Sequence, residues 1–192
     1  MPAGTSSGCA GSCVTSGNAT RSDPTPTYAE TDQVHPESKS LSVVFVCTGN
    51  ICRSPIAEKV FVQELERAGL ADAVQVSSAG TGGWHIGSPA DERAMAVLQG
   101  GGYAVDHVAR QVDAEQLGAD LIVALDKSHR RALRSMVPEP DRVRLLRSFD
   151  PDAPEGAEVP DPYYGDDDGF SAVLAMIRAA MPGMLEWVRE NR

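Results

Sequence analysis

The sequence predicts an α/β fold built around a parallel β-sheet, and three features of the chain indicate it. Short apolar runs without polar alternation, typical of strands that are buried on both faces, recur along the chain. Segments with a helical spacing of apolar residues separate those runs. With 192 residues, 42% of them hydrophobic, the chain can bury one sizeable core. We therefore predict a three-layer sandwich with the sheet in the middle and right-handed crossovers between its strands.

The first 40 residues differ in composition from the rest of the chain. They are rich in Gly, Ser, Thr and Pro and show almost no apolar periodicity, so they cannot bury enough surface to become ordered. We predict a disordered extension over residues 1–40 and a folded domain over residues 41–192. Cys9 and Cys13 lie in this extension without further Cys or His nearby, which is too few ligands for zinc. No metal site is predicted.

The domain is predicted to begin with a strand, a tight loop and a helix. The run LSVVFVC, which starts at Leu41, fits a strand buried on both faces. Pro55 then opens the stretch PIAEKVFVQELERAG, whose apolar residues recur at near-helical spacing and which Gly69 is placed to end.

The same alternation continues to the C-terminus. The predicted elements are a strand over 74–79, a helix over 88–99 ended by Gly100, a strand over 120–125, a helix over 127–136, a strand over 142–146 and a long amphipathic helix over about 169–189. Ligands of such parallel sheets bind beyond the carboxyl ends of the strands, and Cys47 stands at that place.

Charge and composition exclude several classes of partner. The formal net charge is -10 and the pI is about 4.8, so the chain lacks the basic footprint of a nucleic-acid binder and repels anionic lipid. An anionic substrate must therefore be attracted locally. No apolar run of about 18 residues and no secretory signal is recognised. Four cysteines, two of them in the tail, make no disulfide framework. We expect a soluble, cytoplasmic monomer that binds neither nucleic acid nor membrane.

The loop between the first strand and the first helix carries the main functional signal. Its sequence is CTGNICRSP, so its backbone N–H groups can converge in front of a helix N-terminus, an arrangement that binds oxyanions. Gly49 permits close approach of the backbone, and Asn50 tolerates a left-handed conformation. We predict a phosphate-binding loop at this position.

Three side chains of this loop suit phosphate chemistry. Arg53 can offer a planar fork to two phosphate oxygens. The helix dipole and this guanidinium favour a nucleophilic thiolate at Cys47. Ser54 can donate its hydroxyl to that thiolate. The plainer alternatives are a buried strand-end cysteine and a serine that only caps the helix.

On these residues the sequence resembles the low-molecular-weight protein tyrosine phosphatases. The segment VFVCTGNICRSPIAE resembles their signature, and the likeness extends through SSAGT at 77–81, DHVARQ at 106–111 and DPYYGD at 161–166. The resemblance implies a central four-stranded parallel sheet and hydrolysis of phosphotyrosine in proteins, without metal or cofactor. It also implies that Cys47 forms a phosphocysteine and that Asp161 acts as general acid and then as base.

The resemblance further assigns residues to the substrate cleft and to its support. Expected to bind the phosphate or line the cleft are Thr48, Gly49, Asn50, Ile51, Cys52, Ser54, Trp84, His85, Tyr163 and Tyr164, and expected to support the loop are Ser78, His107 and Asp126. Several site residues have an alternative role that the sequence leaves open. Asp161 is one of several carboxylates in an acidic stretch, the tyrosines and Trp84 can be packing residues, His107 can be structural, and Asp126 can cap the next helix.

Related activities remain as alternatives. Arsenate reductases share the loop and fold but need further cysteines, and this chain has none after Cys52. In protein arginine phosphatases a threonine takes the place of Ile51, which here favours an aromatic phosphoester. A phosphate-dependent binding module without turnover is a third possibility. Separately, the spacing of Cys47 and Cys52 suggests a reversible disulfide that protects the nucleophile.

Overall fold

The computed structural model describes residues 40–192, so the extension predicted over residues 1–40 lies, but for Ser40, outside the described residues. The regular elements of the described part are β1 Leu41–Cys47, α1 Arg53–Arg67, β2 Val74–Gly80, α2 Glu92–Gly100, α3 Ala114–Leu117, β3 Leu121–Ala124, α4 Lys127–Arg134, β4 Val143–Leu145 and α5 Asp167–Asn191. Three short 3-10 turns cover Ala71–Ala73, Pro140–Arg142 and Leu146–Phe149.

The four strands form one parallel sheet in the order β2-β1-β3-β4. Strand β1 is central, with Val44 paired to Ser77 of β2 on one side and to Ile122 of β3 on the other. The carboxyl end of β1 lies beside that of β2, where Cys47 pairs with Gly80. The predicted four-stranded parallel sheet is thus confirmed, with Cys47 at its carboxyl edge.

The two faces of the sheet bury different cores. Phe45 points to the side covered by α1, α2 and α5, where it meets Phe61 edge-on with ring centroids 5.7 Å apart. Val44, its neighbour in the strand, points to the other side and packs with Leu133 of α4. Both faces are covered, so the strands are apolar throughout and the three-layer arrangement is confirmed.

Helix α5 is long and apolar enough, by length and composition, to cross a membrane, although no such segment was expected from the sequence. Its apolar side chains are accounted for within the domain. Phe170, Val173, Ile177 and Met184 are fully buried against the core that includes α1. A buried core helix can have the same length and apolar composition as a membrane-spanning helix.

Several predicted boundaries are wrong by two to four residues. Helix α1 begins at Arg53 instead of Pro55, and Ser54 therefore lies inside its first turn while Cys52 occupies the cap position. Helix α2 begins at Glu92 instead of residue 88, because the Asp91 carboxylate accepts a hydrogen bond from the Arg93 N–H and caps it there.

The other ends shift for similar reasons. Helix α2 includes Gly100, and α4 stops at Arg134, two residues before the predicted end. Helix α5 starts at Asp167 because Asp166 accepts a hydrogen bond from the Gly169 N–H. Strands β3 and β4 are each two residues shorter than predicted, and α3 was not predicted.

Candidate active site

The loop between β1 and α1 turns its carbonyl groups away from its centre. The carbonyls of residues 47, 48, 50, 51 and 52 accept hydrogen bonds from Thr81 N, Gly82 N, His107 Nε2, Asp91 N and Ile56 N. In the described part of the chain, no backbone carbonyl accepts a hydrogen bond from the N–H groups of residues 48–52. These N–H groups are therefore available to an anion held in front of α1.

Asn50 fixes this loop shape. Its φ of 56° is left-handed, which Asn tolerates better than most residues, as expected from the sequence. Its fully buried side chain donates to Ser54 Oγ and Ser78 Oγ, both at 2.9 Å, and accepts from the Arg110 N–H at 2.9 Å. Both N–H bonds of the amide and one lone pair of its oxygen are therefore hydrogen-bonded, so the loop has little conformational freedom.

A chain of hydrogen bonds connects this amide to the thiol. Ser54 Oγ lies 3.0 Å from Cys47 Sγ, and both groups are buried. Because Asn50 already donates to Ser54 Oγ, the single hydroxyl proton is free to point to Cys47 Sγ or to the Ala79 carbonyl at 3.3 Å. The Ser54 hydroxyl can thus donate to a thiolate, and its role goes beyond the helix capping that the sequence left open.

Arg53 is held by two carboxylates, although its side chain is only 3% exposed. Nη1 donates to Asp126 Oδ2 at 2.9 Å and to the Val159 carbonyl at 3.1 Å, and Nη2 donates to Asp161 Oδ2 at 2.9 Å. A guanidinium has five N–H donors. Among the described residues, one N–H of Nη2 and that of Nε have no protein acceptor, and this pair can grip two phosphate oxygens.

Asp126 performs both of the functions that the sequence left open. It caps α4 by accepting from the His129 N–H at 2.9 Å, and it holds Arg53. Burial raises the pKa of Asp126, but hydrogen bonds from Ser128 and the His129 N–H outweigh it and hold that pKa below its usual value. Asp126 is therefore a charged partner of Arg53 near neutral pH.

His129 joins this group from α4. Its Nδ1 lies 3.1 Å from Asp126 Oδ2, and its Nε2 lies 2.8 Å from the Thr48 hydroxyl. Burial lowers the pKa of His129 to about 4, so the ring is neutral near pH 7. Despite its closeness to Asp126 Oδ2, Nδ1 makes no hydrogen bond of good geometry within the described residues, and the Thr48 hydroxyl donates to Nε2 when Nδ1 carries the ring proton.

His107 contacts the loop from the opposite side. Burial lowers the pKa of His107, and its Nε2 lies 2.7 Å from the Asn50 carbonyl oxygen. A neutral ring must carry its proton on Nε2 to donate there. The structure thus brings Asn50, Ser78 and His107 into one group around the loop.

The available donors open into a cavity of about 370 Å³. It is lined by Cys47, Thr48, Gly49, Ile51, Cys52, Arg53, Trp84, His85, Asp161, Tyr163 and Tyr164. Trp84 and Tyr164 are strongly exposed, at 78% and 95%, so they lie at the rim of the cavity and not in the core. Tyr163 and Tyr164 meet edge-on with ring centroids 5.0 Å apart. Such walls suit a flat aromatic ring.

Cys52 lies at the base of this cleft as a buried free thiol, like Cys47. Burial, followed by the Asp91 charge, raises the pKa of Cys52 to about 12. A protonated thiol attacks oxidised sulfur poorly, which disfavours the disulfide with Cys47. That disulfide stays a prediction.

Sequence reasoning missed two residues of this site. Glu58 accepts a hydrogen bond from the Ser78 hydroxyl and so extends the chain that starts at Cys47. It is one turn beyond Ser54 on α1, and this spacing of four residues, which places both on one face of a helix, was the available signal. The only sequence signal for His129 was its position three residues after Asp126.

No group of three or more metal-ligating side chains is found among residues 40–192.

Three comparisons bear on this site. Residues 42–192 match the family model described as low molecular weight phosphotyrosine protein phosphatase. The low molecular weight protein-tyrosine phosphatase A of Mycobacterium tuberculosis is 58% identical over 155 residues, which are 80% of this chain and 95% of that protein.

Two solved structures have the same fold. YfkJ of Bacillus subtilis superposes with a TM-score of 0.75 at 35% identity, over 81% of this chain and 99% of its own. The YwlE arginine phosphatase, described as a cysteine-to-serine mutant with a phosphorylated active site serine, gives a TM-score of 0.70 at 29% identity over 79% and 98%.

Proposed function

This chain belongs to the low molecular weight phosphotyrosine protein phosphatase family, and on that premise we propose that it hydrolyses phosphotyrosine through a phosphocysteine formed at Cys47. It is a protein-tyrosine phosphatase, a hydrolase that works without a metal ion. One observation carries the proposal. Cys47, Arg53 and Asp161 line the same cavity, beside a loop whose N–H groups at residues 48–52 are available to an anion.

In the first step the thiolate of Cys47 attacks phosphorus from the floor of the cavity. The N–H groups of residues 48–52 and two donors of Arg53 hold the other phosphate oxygens and stabilise their charge. Asp161, which is half-exposed at the mouth, gives its proton to the phenolate oxygen as the P–O bond breaks. An S–P bond has then replaced an O–P bond, and neutral tyrosine leaves.

In the second step water attacks the phosphocysteine. The carboxylate left on Asp161 accepts a proton from that water, a P–O bond forms and the S–P bond breaks. The Ser54 hydroxyl, 3.0 Å from Cys47 Sγ, donates to the departing thiolate. The serine-bound phosphoryl group described for YwlE supports an intermediate on the nucleophile in a protein of the same fold.

The walls of the cleft favour a phosphoester of an aromatic ring. Trp84, Tyr163 and Tyr164 give flat apolar surfaces, and Ile51 adds an aliphatic side chain near the phosphate. Phosphoserine has no ring to place between these walls. Phosphotyrosine-containing proteins are therefore the proposed substrates, and phosphoarginine is the alternative to exclude.

The experiment is phosphate release in EDTA from matched phosphotyrosine, phosphoserine and phosphoarginine peptides. Cys47→Ser should abolish release. Asp161→Ala should reduce it about 100-fold, which is the lower end of the rate enhancement that general acid–base catalysis typically gives. Glu155→Ala, which changes an exposed carboxylate of the same acidic stretch, is the matched control and should stay within about twofold. Preference for phosphoarginine, or full activity of Cys47→Ser, would refute the proposal.

We also propose that the catalytic domain spans residues 41–192 and acts as a cytoplasmic monomer. The family match over residues 42–192 supports the boundary. A truncated protein that lacks the first 40 residues should keep wild-type kcat and elute as a single copy in size-exclusion chromatography. Loss of activity on this truncation would mean that the extension belongs to the enzyme.

A further inference from the structure

Arg93, the second residue of α2, lies beside the cleft and has no role in the mechanism above. The Asp91 carboxylate holds its guanidinium with two parallel hydrogen bonds, Nε to Oδ1 at 3.0 Å and Nη2 to Oδ2 at 3.0 Å. This hydrogen bonding lowers the pKa of Asp91, so the pair is ionic. A bidentate pair of this kind fixes the plane of the guanidinium.

The other edge of the same guanidinium reaches the segment that follows Asp161. Nη1 donates to the Gly165 carbonyl at 3.0 Å, and Nη2 donates to the Tyr163 carbonyl at 3.1 Å. Its carbon also lies 4.6 Å from the centroid of the Phe170 ring, which is fully buried. Arg93 therefore fastens an exposed, irregular segment to a helix and to the core.

That segment controls Asp161. The backbone N–H of Tyr163 donates to Asp161 Oδ1 at 3.2 Å, while Arg53 holds Oδ2 at 2.9 Å. Tyr163 thus receives a hydrogen bond from Arg93 on its carbonyl and gives one to Asp161 from its amide. Fixing the backbone of Tyr163 fixes one oxygen of the carboxylate.

The opposite end of this connection is the phosphate loop. The backbone N–H of Asp91 donates to the Ile51 carbonyl at 2.8 Å. A continuous path runs from Ile51 through Asp91, Arg93 and Tyr163 to Asp161. The two parts of the site that must meet across the substrate are joined on the outside of the cleft.

We propose that Arg93 is a positioning residue, which holds the backbone around Tyr163 so that the Asp161 carboxylate faces the leaving oxygen. This inference rests on the proposed role of Asp161 as general acid. Four of the five guanidinium donors are engaged in three directions, which the single ammonium group of lysine cannot reproduce. Without Arg93, Asp161 keeps its chemistry but loses its fixed direction, and kcat should fall.

The test compares two substrates that differ in their need for an acid. Phosphotyrosine releases a weakly acidic phenol and needs the proton, whereas 2,4-dinitrophenyl phosphate releases a stable phenolate without it. Arg93→Met should lower kcat/KM, which includes only the steps up to formation of the phosphocysteine, about tenfold for phosphotyrosine and less than about threefold for the dinitrophenyl ester. Arg93→Lys should restore little.

The double variant Arg93→Met/Asp161→Asn tests whether Arg93 acts through Asp161. If it does, the double variant has the same kcat/KM as Asp161→Asn alone. A general loss of structure instead lowers kcat/KM for both substrates and adds to the Asp161 effect. Arg178→Met is the matched control. Arg178 donates to the Tyr103 hydroxyl at 2.8 Å and stacks on that ring, away from the cleft, so kcat should not change.

The outcomes separate the inference from the proposed function. If the loss of kcat/KM in Asp161→Asn does not depend on the leaving group, the acid has been misassigned and the proposed function fails. If Asp161→Asn shows this dependence and Arg93→Met does not, the positioning role of Arg93 is refuted. Equal losses on both substrates with a lowered melting temperature would refute it as well, because they indicate a structural role.

Discussion

Replacement of Asn50 by alanine should cost more stability than any other single change in the loop. The alanine variant loses three side-chain hydrogen bonds, to Ser54, Ser78 and the Arg110 N–H, in a fully buried place. At about 1 kcal/mol each, these amount to about 3 kcal/mol. Alanine at a φ of 56° adds about 1 kcal/mol of backbone strain, for a total of about 4 kcal/mol.

Glycine at the same position separates these two contributions. Asn50→Gly loses the same hydrogen bonds but adopts a positive φ without strain, so we expect a loss of about 3 kcal/mol. Urea unfolding of wild type, Asn50→Ala and Asn50→Gly measures the difference. The loop should also hold Ser54 less well, so both variants should lose at least about tenfold in kcat.

Ser78→Ala provides the check on the hydrogen-bond term. It removes two hydrogen bonds, the one from the Asn50 amide and the one to Glu58, and should cost about 2 kcal/mol. A smaller loss of unfolding free energy in Asn50→Ala than in Ser78→Ala would refute the role of these hydrogen bonds. Equal stability of Asn50→Ala and Asn50→Gly would refute the strain at this φ.

Three further changes test burial and packing. Gly183→Ala places a methyl group 2.1 Å from the Phe149 carbonyl oxygen and should cost at least about 2 kcal/mol in urea unfolding, whereas Gly100→Ala meets no atom and should stabilise α2 slightly. Between about pH 7 and about pH 5, the free energy of unfolding should fall by about 2 kcal/mol less in His129→Asn than in wild type. In wild type the unfolded ring becomes protonated below its usual pKa of about 6.5, whereas the folded ring has a pKa of about 4 and stays neutral. In peptide mapping, Cys52 should resist iodoacetamide in the folded protein at about pH 8, because burial raises its pKa to about 12.

Each of these has a result that contradicts it. Equal stability of the Gly183→Ala and Gly100→Ala variants would disprove the close contact with Phe149. An unchanged pH dependence in His129→Asn would mean that the ring is protonated in the folded state. Labelling of Cys52 at the same rate in native buffer and in urea would show that the thiol is accessible.

Patterns that depend on residues near one another in sequence predicted most of the fold. The apolar runs around Val44 and Ile122 specified buried parallel strands, because only a strand covered on both faces lacks polar alternation. The order of strand, glycine-containing loop and helix placed Cys47 at the carboxyl edge of the sheet. Helix starts were less predictable, since the caps at Asp91 and Asp166 depend on side-chain hydrogen bonds that compete with neighbouring serine and proline signals.

The sequence alone therefore determined the fold class and the position of the loop between β1 and α1, since these follow from local spacing and from hydrophobic period. Only the tertiary structure decided which distant groups serve the loop. Asp161 is 108 residues from Arg53 and His129 is 81 residues from Thr48, yet each pair is in hydrogen-bond contact. Contacts over such separations depend on how the helices pack on the two faces of the sheet, and no local pattern encodes them.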